Sequence, residues 1–115
     1  MTDRELLELA AKAAGIELDC TIRPDGKAFY HSDRNAFAVA NGGWFSPLTD
    51  DGDALRLAVK LRFQIHIWKG NIWMALSDDG KDQNWLSIEP ISNDDANAAT
   101  RRAIVRAAAE IGKTK

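Results

Sequence analysis

Trp44-Phe45-Ser46-Pro47-Leu48-Thr49-Asp50-Asp51-Gly52-Asp53-Ala54-Leu55 decides how this chain is organised, because an aromatic pair and a proline turn pass through an acidic run directly into an amphipathic helix. Asp50 stands where an N-cap belongs, its carboxylate accepting from the amide of Asp53, while Asp51 and Asp53 suit the positive end of the helix dipole. The spacing predicts a helix over 54–61. Leu55, Ala58 and Val59 form its apolar stripe, Leu57 and Leu61 extend it, and Arg56, Lys60 and Arg62 are left to solvent. The acidic run lacks the alternating ligands and distant glutamate of an EF-hand loop, so it reads as a helix start and not as a calcium site.

Downstream, Phe63, Ile65 and Ile67 alternate with Gln64, His66 and Trp68 before Lys69-Gly70-Asn71 turns the chain. Residues 72–77 return as a partner strand, Asp78-Asp79-Gly80-Lys81-Asp82 makes a second turn, and residues 85–89 form a third strand ended by Pro90. Alternation assigns Phe63, Ile65, Ile67, Leu86 and Ile88 to the face that meets the helices. Gln64, His66, Trp68, Trp85, Ser87 and Glu89 go to the other face, with Trp73 beside them. Asn93, Asp94 or Asp95 caps a last helix running to about Ile111, with Ala103, Ile104, Ala107, Ala108 and Ile111 inward and Gly112 as its stop.

Upstream, Leu6, Leu9, Ala10 and Ala13 recur at helical spacing over residues 3–14, Thr2 and Glu5 fit a capping box, and Gly15 fits a left-handed C-terminal cap. Residues 20–23 and 27–31 read as a hairpin around Pro24-Asp25-Gly26. Residues 36–40 offer a short strand or an irregular segment, and Asn41-Gly42-Gly43 breaks it as a simple turn, without the lysine of a phosphate loop. The expected order is α-β-β-α-β-β-β-α: an α+β fold, an antiparallel sheet sandwiched between helices, in one domain over residues 1–115.

Composition narrows the function. With 45% hydrophobic and 28% charged residues and a formal net charge of −2, the chain has no global attraction to nucleic acid or an anionic membrane, and no apolar run approaching the ~20 residues of a membrane span. A cytoplasmic location, in a bacterial host cell, is the simplest expectation. The charged start Met1-Thr2-Asp3-Arg4-Glu5 does not resemble a secretory signal. Cys20 has no partner for a disulfide and reads as a small buried hydrophobe. Arg101, Arg102 and Arg106 read as a solvated helix face, and Lys113 and Lys115 as complements to the helix dipole. From residue 50 onward the element order copies a double-stranded RNA-binding domain. Asp94 and Asp95, however, stand where that domain needs cations for phosphates.

No motif calls for a cofactor or a metal. His31 and His66 lack zinc spacing, and His66 with Glu89 is the one acid–base pair that strand geometry brings near each other. The four tryptophans, Trp44, Trp68, Trp73 and Trp85, have two readings. Either the first helix covers the indole face as core, or part of that face stays open and binds a protein partner. Nucleic acid or carbohydrate stacking is less favoured, because no cluster of lysines and arginines interleaves with the indoles.

Trp44-Phe45-Ser46-Pro47-Leu48-Thr49-Asp50-Asp51-Gly52-Asp53 through Leu61, with Ala99-Thr100-Arg101-Arg102-Ala103-Ile104-Val105-Arg106 through Ala109, resembles the small bacteriophage and prophage proteins grouped as phage ABA sandwich domains. The resemblance implies an α/β/α sandwich of phage or prophage origin and supplies no catalytic residues. The longer hairpin region before Asn41 departs from the family's pattern. The expected function is that of a non-enzymatic accessory protein that binds a host or phage protein, inhibition of host defence or regulation being one such role. The alternatives are a small enzyme using His66 and Glu89, and a self-associating structural protein.

Overall fold

In the computed structural model, which describes residues 1–76, 85–91 and 95–114, the chain is α+β. Helix α1 (Asp3–Ala14) precedes the short strands β1 (Tyr30–His31), β2 (Ala36–Ala38) and β3 (Trp44–Phe45). Helix α2 (Asp51–Lys60), strands β4 (Phe63–Trp68), β5 (Asn71–Leu76) and β6 (Trp85–Pro90), and helix α3 (Ala96–Gly112) follow. The order matches expectation with one more strand before α2, and the strands form two antiparallel sheets, β1-β2-β3 and β4-β5-β6. The expected turn Asp78-Asp79-Gly80-Lys81-Asp82, with Ser77, Asn93, Asp94 and Lys115, lies outside the described residues.

The helix ends follow their local chemistry. Thr2 caps α1 by accepting from the amide of Glu5, and Gly15 closes it at φ +69°. Asp50 accepts from the Asp53 amide at 2.8 Å to start α2, and Asp95 does the same for Ala98 at 2.9 Å to start α3. Asp53 also accepts from the amide of Ser46 at 2.8 Å, fastening the Ser46-Pro47 turn to α2. The predicted hairpin over 20–31 does not form. Asp19 takes the amide and hydroxyl of Thr21, and Asp25 takes the amide of Lys27, so short side chains satisfy the backbone locally and displace a ladder. Only Tyr30 and His31 become strand, pairing with Phe37 and Ala36. Cys20, expected inside, is exposed.

The core joins all three helices. Leu7, Ala10 and Ala11 of α1, Ala54, Leu57 and Ala58 of α2, and Ala103, Val105, Ala107 and Ala108 of α3 are buried with Phe37, Phe45, Ile72 and Met74. Helix α2 buries Leu57 and Ala58 as expected but is otherwise turned from the expected stripe. It buries Ala54 and Leu57, while Leu55 and Val59 are exposed, because the small side chains let α2 lie close to α3. Gly112, expected as a stop, is the last residue of α3. A Cβ there would lie 2.0 Å from the carbonyl oxygen of Leu9, so the glycine lets α1 and α3 touch backbone to backbone.

The arginines of α3 are tethers and not a free solvated face. Arg101 reaches the Leu48 carbonyl at 2.9 Å and Asp51 at 2.6 Å, Arg106 pairs with Glu89 at 3.0 Å, and Arg102 pairs with Asp3 at 3.1 Å. Asn35 donates to the same Asp3 carboxylate at 3.0 Å. Burial pushes the Asp3 carboxyl up, but the hydrogen bonds from Arg102 and Asn35 and the Arg102 charge outweigh it, so the group lies below its ordinary 3.8. A depressed carboxylate stabilises the fold fully above that ordinary value and loses its contribution as the pH falls through the lower, folded value. Asp3→Asn should therefore cost about 0.5–1 kcal/mol at neutral pH, a figure already small because the pair is partly exposed. The difference from the parent should vanish in strong acid, as chemical denaturation across pH would show.

Candidate functional site

The two-residue turn Lys69-Gly70 joins β4 to β5, with both residues at positive φ (49° and 73°), the geometry whose twist matches a tight hairpin. It sets Ile67 opposite Ile72, His66 opposite Trp73 and Ile65 opposite Met74. Between β5 and β6 the register slips. Met74 faces Ser87 but Ala75 faces Trp85, leaving Leu86 as the extra residue of a β-bulge.

That bulge decides which side chains share a face. Ser87 and Glu89, expected with the indoles, lie on the helix side, where the Ser87 hydroxyl donates to the Ala103 carbonyl at 2.9 Å and Glu89 holds Arg106. Ile88, expected under the helices, sits across from Trp73 on the indole face and is exposed. His66 and Glu89 are thereby separated: His66 pairs with Trp73, Glu89 with Ile72, on opposite faces of the sheet. They cannot act as an acid–base pair. Among the described residues no group of three His, Cys, Asp or Glu side chains gathers as a metal set, and no helix is long and apolar enough to cross a membrane.

Helix α1 does not cover the indoles. Its buried stripe goes to α3 and β2, and α3 takes the opposite face of the sheet. Trp68 is 60% exposed and Trp85 40%. Trp85 meets Trp73 edge-on at 5.3 Å between ring centroids and His66 at 5.1 Å. His66, Trp68, Trp73 and Trp85 line an open recess of about 350 Å³. Lys69 lies over the Trp68 ring at 4.4 Å, the one cation beside these rings among the described residues. The indole nitrogen of Trp73 is buried and meets no acceptor there.

Trp44 does not belong to this group. It sits on the other sheet, packed against Phe29 and His31, with the Arg34 guanidinium over its ring at 4.8 Å. Of the four tryptophans, the structure brings three together. The sequence missed Ile88 at the margin of the face, and alternation carries no signal for it because the bulge inverts the phase of β6. Compared with family models, with curated proteins and with solved structures, the chain matches none.

Proposed function

We propose that this protein is a non-enzymatic binding protein of a phage or prophage, and that it engages a host or phage protein through the indole face of β4–β6. The observation that carries the reading is the recess between Trp68, Trp73 and Trp85, left open while the amphipathic helix α1 packs its apolar stripe on α3 and β2. Exposed, preorganised indoles are the side chains most often found to dominate protein–protein affinity. The recess is at the small end of ligand pockets and fits one or two projecting apolar side chains. Among the described residues its lining is His66 and the three tryptophans, with Lys69 over Trp68 at the margin, which suits an apolar or mildly acidic segment and not a polyanion. The phage origin is supported by the resemblance of residues 44–61 and 99–109 to phage ABA sandwich domains.

The test is capture from bacterial lysate, with and without phage infection, using the parent chain and a Trp68→Ala/Trp85→Ala variant of matched circular dichroism. A protein retained by the parent and lost by the variant supports the reading. Equal retention by both, or none by the parent, overturns it.

A further inference from the structure

We propose that strand β4 is a docking edge for a second copy of this chain, the two β4 strands pairing antiparallel so that two three-stranded sheets become one of six. This goes beyond binding at the indole face and does not depend on it. Among the described residues strand β4 is an outer strand of its sheet, and an unpaired strand edge presents a row of free donors and acceptors. The two-residue turn makes Trp68 and Asn71 a hydrogen-bonded pair, so the bonded positions toward β5 are Gln64, His66 and Trp68. The Ile91 amide donating to Gly70 at 2.9 Å fits the same phase on the β6 side. The main-chain groups of Phe63, Ile65 and Ile67 therefore point outward.

The two edges of this sheet differ. Strand β6 carries a bulge at Leu86, a carboxylate at Glu89 and a proline at its end, the devices that keep an edge from pairing. Strand β4, Phe63-Gln64-Ile65-His66-Ile67-Trp68, carries no charge, no proline and no bulge. Its Ile65 is 36% exposed and Ile67 63%.

The strand complements itself, which favours a second copy over a foreign peptide. With Ile65 on the twofold axis, every outward-pointing residue meets another: Ile65 meets Ile65, and Phe63 meets Ile67 of the second copy. On the indole face Gln64 then meets His66, and Arg62 comes up to Trp68, a cation against a ring. No like charges are paired directly across the seam, Arg62 of the second copy and Lys69 sharing the Trp68 ring. The interface closes with twofold symmetry and leaves both recesses on one side of the six-stranded sheet.

The solution mass of the full chain across concentration is the first readout. The expected result is an equilibrium reaching twice 12.7 kDa. Ile67→Lys, at a site exposed enough to leave folding intact, should weaken it by about 100-fold, roughly tenfold for each of its two copies. Register is read separately by oxidising Ile65→Cys in a Cys20→Ser background: a disulfide-linked dimer is expected, and Val59→Cys in the same background should give much less. A parent that stays monomeric, a dimer insensitive to Ile67→Lys, or no excess cross-linking at position 65 would each overturn the proposal.

Discussion

Gly112→Ala should destabilise the protein by about 3 kcal/mol, the upper part of the range for overpacking. For a chain of this size that lowers the thermal midpoint by roughly 10 °C. Intrinsic helix propensity argues the other way, since alanine is favoured over glycine by about 1 kcal/mol inside a helix. The steric term decides the sign. A Cβ at position 112 would lie 2.0 Å from the Leu9 carbonyl oxygen and 2.8 Å from its carbon, and neither is a side chain that can swing away. Helix α1 must move as a body. Its alanines at 10, 11 and 14 are packed in the same core as those at 103, 107 and 108 of α3, so a shift opens gaps along that row and loses contacts well beyond the new methyl group.

Gly52→Ala supplies the control. Position 52 is also helical, but its Cβ would meet the Arg56 guanidinium at 3.2 Å and an Asp50 carboxylate oxygen at 3.3 Å, both on exposed side chains. That substitution should change stability by less than about 1 kcal/mol, in either direction. Thermal and urea denaturation of the two variants beside the parent make the comparison. A Gly112→Ala protein as stable as the Gly52→Ala protein would mean that α1 and α3 do not approach as closely as described.

What the sequence made legible follows the range of the interactions. Helix ends were readable because Thr2, Asp50, Asp95 and Gly15 act on backbone groups within a turn of themselves. The β4–β5 hairpin was readable for the same reason, from alternation that ends at Lys69-Gly70. The glycine at 112 shows the limit: its position suggested a cap, whereas its role is set by Leu9, more than a hundred residues away in the chain. Helix α2 was read correctly at Leu57 and Ala58, which are buried, and wrongly at Leu55 and Val59, since leucine and valine outweigh alanine in any apolar stripe, yet a close helix crossing selects Ala54 in their place. The bulge at Leu86 left no mark on the alternation of β6 and exchanged Ile88 for Glu89 on the indole face. Periodicity showed that α1 has something to bury against; it could not show that an alanine-rich helix would win it from three tryptophans.

Because that competition left the indoles open, their energetic role should appear in binding and not in folding. Trp68 is largely exposed, with Lys69 over its ring, so Trp68→Ala should leave stability within about 0.5 kcal/mol of the parent. Trp85→Ala also gives up its edge-on contacts with Trp73 and His66 and should cost about 1 kcal/mol. For a partner seated in the recess, each truncation should cost about 2 kcal/mol or more of affinity, close to 30-fold, as expected of buried aromatic anchors. The two losses should not add, because Trp85 and Trp68 wall the same recess and the first truncation already lets water in beside the second. Trp44→Ala reverses the pattern. It removes the ring that packs Phe29, His31 and Arg34 together on the other sheet, so it should lower stability and leave affinity unchanged in the fraction that remains folded. Titration calorimetry with the captured partner, paired with denaturation of each variant, separates the two roles. If Trp44→Ala weakens binding as much as Trp85→Ala does, the partner sits elsewhere than on the β4–β6 indoles.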